Sequence, residues 1–205
     1  MVTVSPLLTG LGLGLALASA PGPVQAVLVA EAMRGGVYRG LRALAGANLT
    51  FGLLLVGLAL GLSVLPPSQL VVRLLEVAGG AFLIWLAVDG LRSGHIVAGS
   101  NGRKALPAAA RGALAVLLNP GSWLFLGAVA SPLFAGPARI EGPQRGLEVA
   151  AVMVCGLAVG DGAVVLLGGL GLHRAGARVR RWVLRGLAAV LAGIGILLLI
   201  RGVIG

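Results

Sequence analysis

The chain has 205 residues, is 58% hydrophobic and only 11% charged, and has a mean hydropathy of +1.04. That balance excludes an ordinary soluble domain, and a single cysteine, Cys155, excludes a disulfide or a CxxC redox pair within one chain. The net charge of +10 and pI near 11.8 raise nucleic acid as a partner, but the placement of the charges argues for a membrane instead.

A membrane-crossing helix needs about 20 apolar residues. Six runs qualify, at 7–33, 41–65, 70–91, 112–136, 148–172 and 186–204. The expected fold is therefore an all-α integral membrane protein of six transmembrane helices, forming a single domain over 1–205. Between these runs the basic residues alternate. Arg34, Arg39, Arg42, Arg92, Arg103, Lys104, Arg111, Arg174, Arg178, Arg180, Arg181 and Arg185 fall on one side, against Arg73, Arg139, Arg145 and Arg201 on the other. The positive-inside rule puts the first set in the cytoplasm and both termini outside. The partners expected of such charges are anionic lipids, with no nucleic acid.

The first run is interrupted by Ala18-Ser19-Ala20-Pro21-Gly22-Pro23-Val24-Gln25. Two prolines without N–H donors and a glycine between them cannot continue a helix. In lipid, broken backbone is tolerated only where protein buries it or a watery cavity faces it. A discontinuous helix beside a pathway is expected here. Ala18-Ser19-Ala20 resembles a signal-peptide cleavage site, but residues 1–6 carry no Lys or Arg and proline would follow the cut, so an uncleaved span is expected. Within that span Glu31 is expected to pair with Arg34 at the inner interface.

The link Gly35 to Gly40 leads to the second span, which ends at Pro66-Pro67 and contains a Gly57/Gly61 pair suited to close helix approach. The third span places Asp89 beside Arg92. A polar link, 93–106, divides the chain into halves of about 1–92 and 107–205. The fourth span holds a second breaker, Leu118-Asn119-Pro120-Gly121-Ser122, and the fifth holds Asp161. Residues 74–92 align with 183–201 without a gap, and each half opens on a proline-broken helix. Three spans per half makes the second copy inverted, an arrangement of many secondary transporters.

Counting from the inner helix ends, Gln25, Asn48 and Asn119 share one level about 10–12 Å deep, at about 1.5 Å per residue. Pro21 and Asp161 lie slightly deeper. A charged side chain near the bilayer centre costs at least ~2.5–3.5 kcal/mol, so Asp161 is expected to face the bundle interior, where it can gain and lose a proton. Asn119 precedes a proline and can cap the half-helix that begins there. After Pro23 and again after Pro120, a half-helix starts with free N–H groups and the positive end of its dipole, which suits a carboxylate. The expected solute contacts are Pro21, Gly22, Pro23, Gln25, Asn48, Asn119, Pro120 and Ser122, with Asp161 for proton coupling. No metal, cofactor or enzymatic nucleophile–base pair is expected.

The order of these pieces resembles the lysine-exporter (LysE/RhtB-type) amino acid efflux family. The matching residues are Pro21-Gly22-Pro23, Arg34-Gly35-Gly36 with Gly40 and Ala45-Gly46, and Val77 through Leu86 leading to Leu91-Arg92. Arg111-Gly112 through Leu118-Asn119-Pro120 to Phe125, Pro132 and Phe134 match next, and then Asp161. The resemblance implies six helices, homo-oligomerisation, a bacterial inner-membrane location, and export of amino acids or similar metabolites driven by the proton gradient. The chain departs from the family where members carry a small polar residue at Val24, an acid near Phe51 and a lysine at Gly121. Two competing readings are a membrane accessory protein of the same fold, for envelope assembly or lipid handling, and a divalent metal-ion exporter.

Overall fold

The computed structural model describes residues 5–20, 22–60, 68–93, 106–130, 134, 143–173 and 177–204, and every element among them is helical. In chain order these are α1 (Pro6–Ser19), α2 (Pro23–Ala59), α3 (Gln69–Ser93), α4 (Ala108–Leu117) and α5 (Pro120–Phe125). A π-helical turn (Leu126–Ala130), α6 (Pro143–His173) and α7 (Ala177–Ile204) follow. Among the described residues, four segments are long and apolar enough to cross a membrane: Pro23–Ala59, Gln69–Asp89, Gln144–Leu170 and Arg185–Ile204. The shorter apolar helices α1 and α4 belong to the two runs that the breakers divide.

The break between α1 and α2 and the break between α4 and α5 fall at the two proline motifs, as the missing donors require. The link after the first run is tighter than Gly35 to Gly40. Only Gly35 (φ −142°, ψ 24°) and Gly36 (φ 76°, ψ −177°) leave helical geometry, and helix resumes at once. The two arms of α2 double back on each other there, so that a Cβ at Gly40 would press on the Ala32 side chain. Gly36 sits in a backbone region that side-chain-bearing residues avoid, which explains glycine at this reversal.

α2 packs on α4 and α6, α1 packs along α6, and α3 pairs with α7. The α3–α7 pair is antiparallel, with Gly80 against Gly195 and Gly202 against Val77 and Arg73. At the α2–α4 crossing, a Cβ on Gly46 would overlap the Ala109 carbonyl and one on Gly112 the Ala43 carbonyl. The helices approach so closely here because nothing stands between the backbones. The Gly57/Gly61 pair is not that crossing; Gly61 lies outside the described residues, as do Pro66-Pro67 and most of the link 93–106. A core of Phe51, Leu55, Leu126, Phe134, Val149 and Met153 fills the space between α2, the α5 region and α6.

Gly112→Val is expected to force α4 off α2 and to destabilise the folded protein by about 1–3 kcal/mol in detergent unfolding titrations. Gly162→Ala, where a Cβ meets nothing within 4 Å, is the neutral control. Gly36→Ala also meets nothing within 4 Å, yet it should cost about 1–3 kcal/mol through the backbone alone.

Candidate solute site at two helix breaks

A helix that stops inside an apolar bundle leaves carbonyls without partners in its last turn. At the first break, Gln25 resolves this from the far side. Its Nε2 donates to Leu17 O (3.3 Å) and Ala18 O (3.4 Å) of α1, and it also reaches Asp161 Oδ1 of α6 at 3.5 Å. Gly22, extended at φ −163° and ψ −177°, begins α2 without a side-chain cap, and the first helical bond runs from Ala26 N–H to Gly22 O.

The second break is built in the same way. Asn119 is the N-cap of α5, its Oδ1 accepting from Gly121 N–H at 3.0 Å, which is the capping role its place before proline implies. Trp123, in the first turn of α5, donates its indole N–H back across the break to Leu117 O at 2.8 Å. Gln25 and Trp123 are thus counterparts, each lying just inside the second half-helix and bonding the exposed end of the first. The sequence reading missed Trp123, although an indole three residues after a proline breaker was the available signal.

The two breaks face a shared cavity of about 260 Å³. Gly22, Pro23, Gln25, Asn48, Asn119, Ser122 and Asp161 line it. So residues placed at a common level by counting along four helix segments do meet. Pro120 is buried at the first position of α5 and lies off the cavity wall, and Pro21 lies outside the described residues. Asp161 is 1% exposed and Asn48 6%. Among the described residues, neither Nδ2 nor Oδ1 of Asn48 has a hydrogen-bond partner. A buried amide with its donor and acceptor both unmet is costly in a finished core, and is what a ligand-facing wall requires.

The remaining wall is apolar, from Leu17, Val24, Phe51, Val116 and Leu157, with Phe51 backed by the Phe125 ring at 6.1 Å. Among the described residues no group of three or more His, Cys, Asp and Glu side chains gathers into a metal-binding set. The chamber suits a compact solute, since sites for drug-sized ligands run from about 300 to 1,000 Å³.

A second polar assembly lies toward the arginine-rich end. Glu31 receives Arg34 Nη1 at 3.3 Å, as expected, but also Arg39 Nε at 2.6 Å and Arg111 Nη1 at 3.4 Å. Asp89, which the sequence set beside Arg92, is held across the bundle by Arg34 (2.9 Å) and Arg111 (2.7 Å). Arg111 is almost wholly buried, its guanidinium lying 5.1 Å from the Trp85 ring centroid and its Nε bonded to Leu106 O at 3.0 Å.

Among known proteins, the LysE type translocator family model matches residues 15–202. No curated protein and no solved structure matches the chain. With the match running from within α1 to the last turn of α7, the chain belongs to the LysE type translocator family and is a membrane transporter of small solutes.

Proposed function

We propose that the chain is a proton-coupled secondary transporter exporting a small, amino-acid-like solute, held at the two helix breaks. The observation that carries this reading is the joint placement of buried Asp161 and the Asn48 amide, which has no hydrogen-bond partner among the described residues, on the wall of one chamber. The uncapped start of α2 at Gly22-Pro23 offers backbone N–H groups to the solute's carboxylate. Asn48 then supplies one donor and one acceptor, and Ser122 and Asn119 complete the polar face. Because Asn119 uses its Oδ1 for capping, it serves the solute chiefly through its Nδ2. The apolar wall takes the rest of the solute.

Asp161 carries the proton. Gln25 Nε2 has more acceptors within reach than hydrogens, so its bonding depends on the charge of Asp161. An ionised carboxylate draws Gln25 toward α6, whereas a protonated one leaves it on the α1 carbonyls. The proton is thereby felt at the break itself. Six spans in two inverted halves, joined near 93–106, fit this reading: both halves open on a broken helix, and the matching stretches 74–92 and 183–201 lie in the antiparallel pair α3 and α7. We place the protein in a bacterial inner membrane with its arginine-rich side in the cytoplasm, as a homo-oligomer.

In proteoliposomes loaded with amino acids under an imposed pH gradient, Asp161→Asn is expected to lose gradient-driven efflux by at least about tenfold, on the scale of 1.4 kcal/mol per decade, while solute exchange persists. Equal efflux from parent and variant would show that Asp161 does not carry the proton. Asn48→Leu should weaken solute binding about tenfold, the effect of losing one or two hydrogen bonds, measured as KM in the same vesicles. The orientation is tested with Arg178→Cys in a Cys155→Ala background: an impermeant thiol reagent should label it only from the cytoplasmic side.

A further inference from the structure

The ion cluster of Glu31, Arg34, Arg39, Asp89 and Arg111 stands in a specific relation to the solute chamber. On the first arm of α2, Glu31 lies six residues beyond the chamber residue Gln25. On the second arm Arg39 lies nine residues from Asn48, and on α4 Arg111 lies five from Val116. At about 1.5 Å per residue, the cluster forms a layer roughly 8–14 Å from the chamber on three helix segments at once. In each segment the displacement is toward the arginine-rich end. Asp89 brings α3 into the same layer.

Two properties distinguish this layer from ordinary packing. It straddles the Gly35-Gly36 reversal, with Glu31 and Arg34 before it and Arg39 after it, so a change at the reversal must break or remake the Arg39–Glu31 pair. It also holds an unmet donor: among the described residues the buried Arg34 Nε has no hydrogen-bond partner, although Arg34 reaches both Glu31 and Asp89 through Nη1. A buried guanidinium nitrogen without a partner departs from the pairing usual in a finished core. A layer with an unmet donor at a glycine reversal can part and re-form.

We infer that this cluster is the gate between the chamber and the arginine-rich side of the membrane, closed here by Glu31 and Asp89 gripping Arg34 and Arg111. The inference rests on the transport reading for its purpose but is tested without solute. Ser122→Cys is introduced into a Cys155→Ala background as a reporter on the chamber wall, and a charged, impermeant methanethiosulfonate is applied from the arginine-rich side of sealed vesicles. The otherwise unaltered reporter protein should label slowly, and Glu31→Gln and Asp89→Asn should each raise the rate at least about tenfold. Asp89→Asn leaves Glu31 with all three arginines, so it keeps the test informative if Glu31→Gln does not fold. Unchanged labelling in folded Asp89→Asn, or loss of folding in both variants, overturns the gate and leaves a structural clamp. Because labelling requires no flux, this outcome is separable from the efflux result for Asp161→Asn.

Discussion

The organisation of this protein depends on how an apolar bundle tolerates interrupted backbone. Every peptide group withdrawn from water needs a partner, and a helix that stops short leaves several without one. Both interruptions are mended from the downstream side, by Gln25 on Leu17 and Ala18 and by Trp123 on Leu117. Asn119 repairs the opposite end of the second gap. These bonds hold the half-helices in register across each gap while leaving room beside them, and that room is the chamber.

The same accounting separates the polar residues into two kinds. Gln25 and Asn119 are tied into the scaffold, whereas Asn48 has nothing to hold. Asp161 stands between the two, touched by Gln25 yet open to the chamber. The charged layer nearer the arginine-rich end follows a different logic. Removing one member of a buried ion pair typically costs about 3–5 kcal/mol, because the charge left behind has no water to turn to. Losing either Glu31 or Arg111 alone would therefore be costly, although the pair itself adds little over an apolar contact of the same size.

Much of this was legible in the residues. Proline breakers have local consequences, so both interruptions could be located before any packing was known. Helical rise is regular, so counting from the arginine-flanked ends brought Gln25, Asn48, Asn119 and Asp161 to one region. Long-range partnership was not legible. Arg111 reads as a boundary arginine because its neighbours in sequence form a link, and only the Gly46–Gly112 crossing carries it inward to Glu31 and Trp85. Spacing alone likewise cannot tell which of 35 glycines faces another backbone, so Gly46 and Gly112 could not be picked out. Trp123 escaped notice because an indole in an apolar run looks like one more hydrophobic side chain until its N–H is traced.

The two walls of the chamber differ in what they are tied to. Gln25 and Asn119 shape the chamber and mend the backbone at once, so altering them disturbs the architecture. Leu17, Val24, Phe51, Val116 and Leu157 meet the chamber with apolar side chains that also pack in the core but make no bond that mends a break. Divergence among descendants of one ancestral scaffold can therefore run along the greasy wall, trading one cargo's shape for another's while the framework that makes translocation feasible stays as it was.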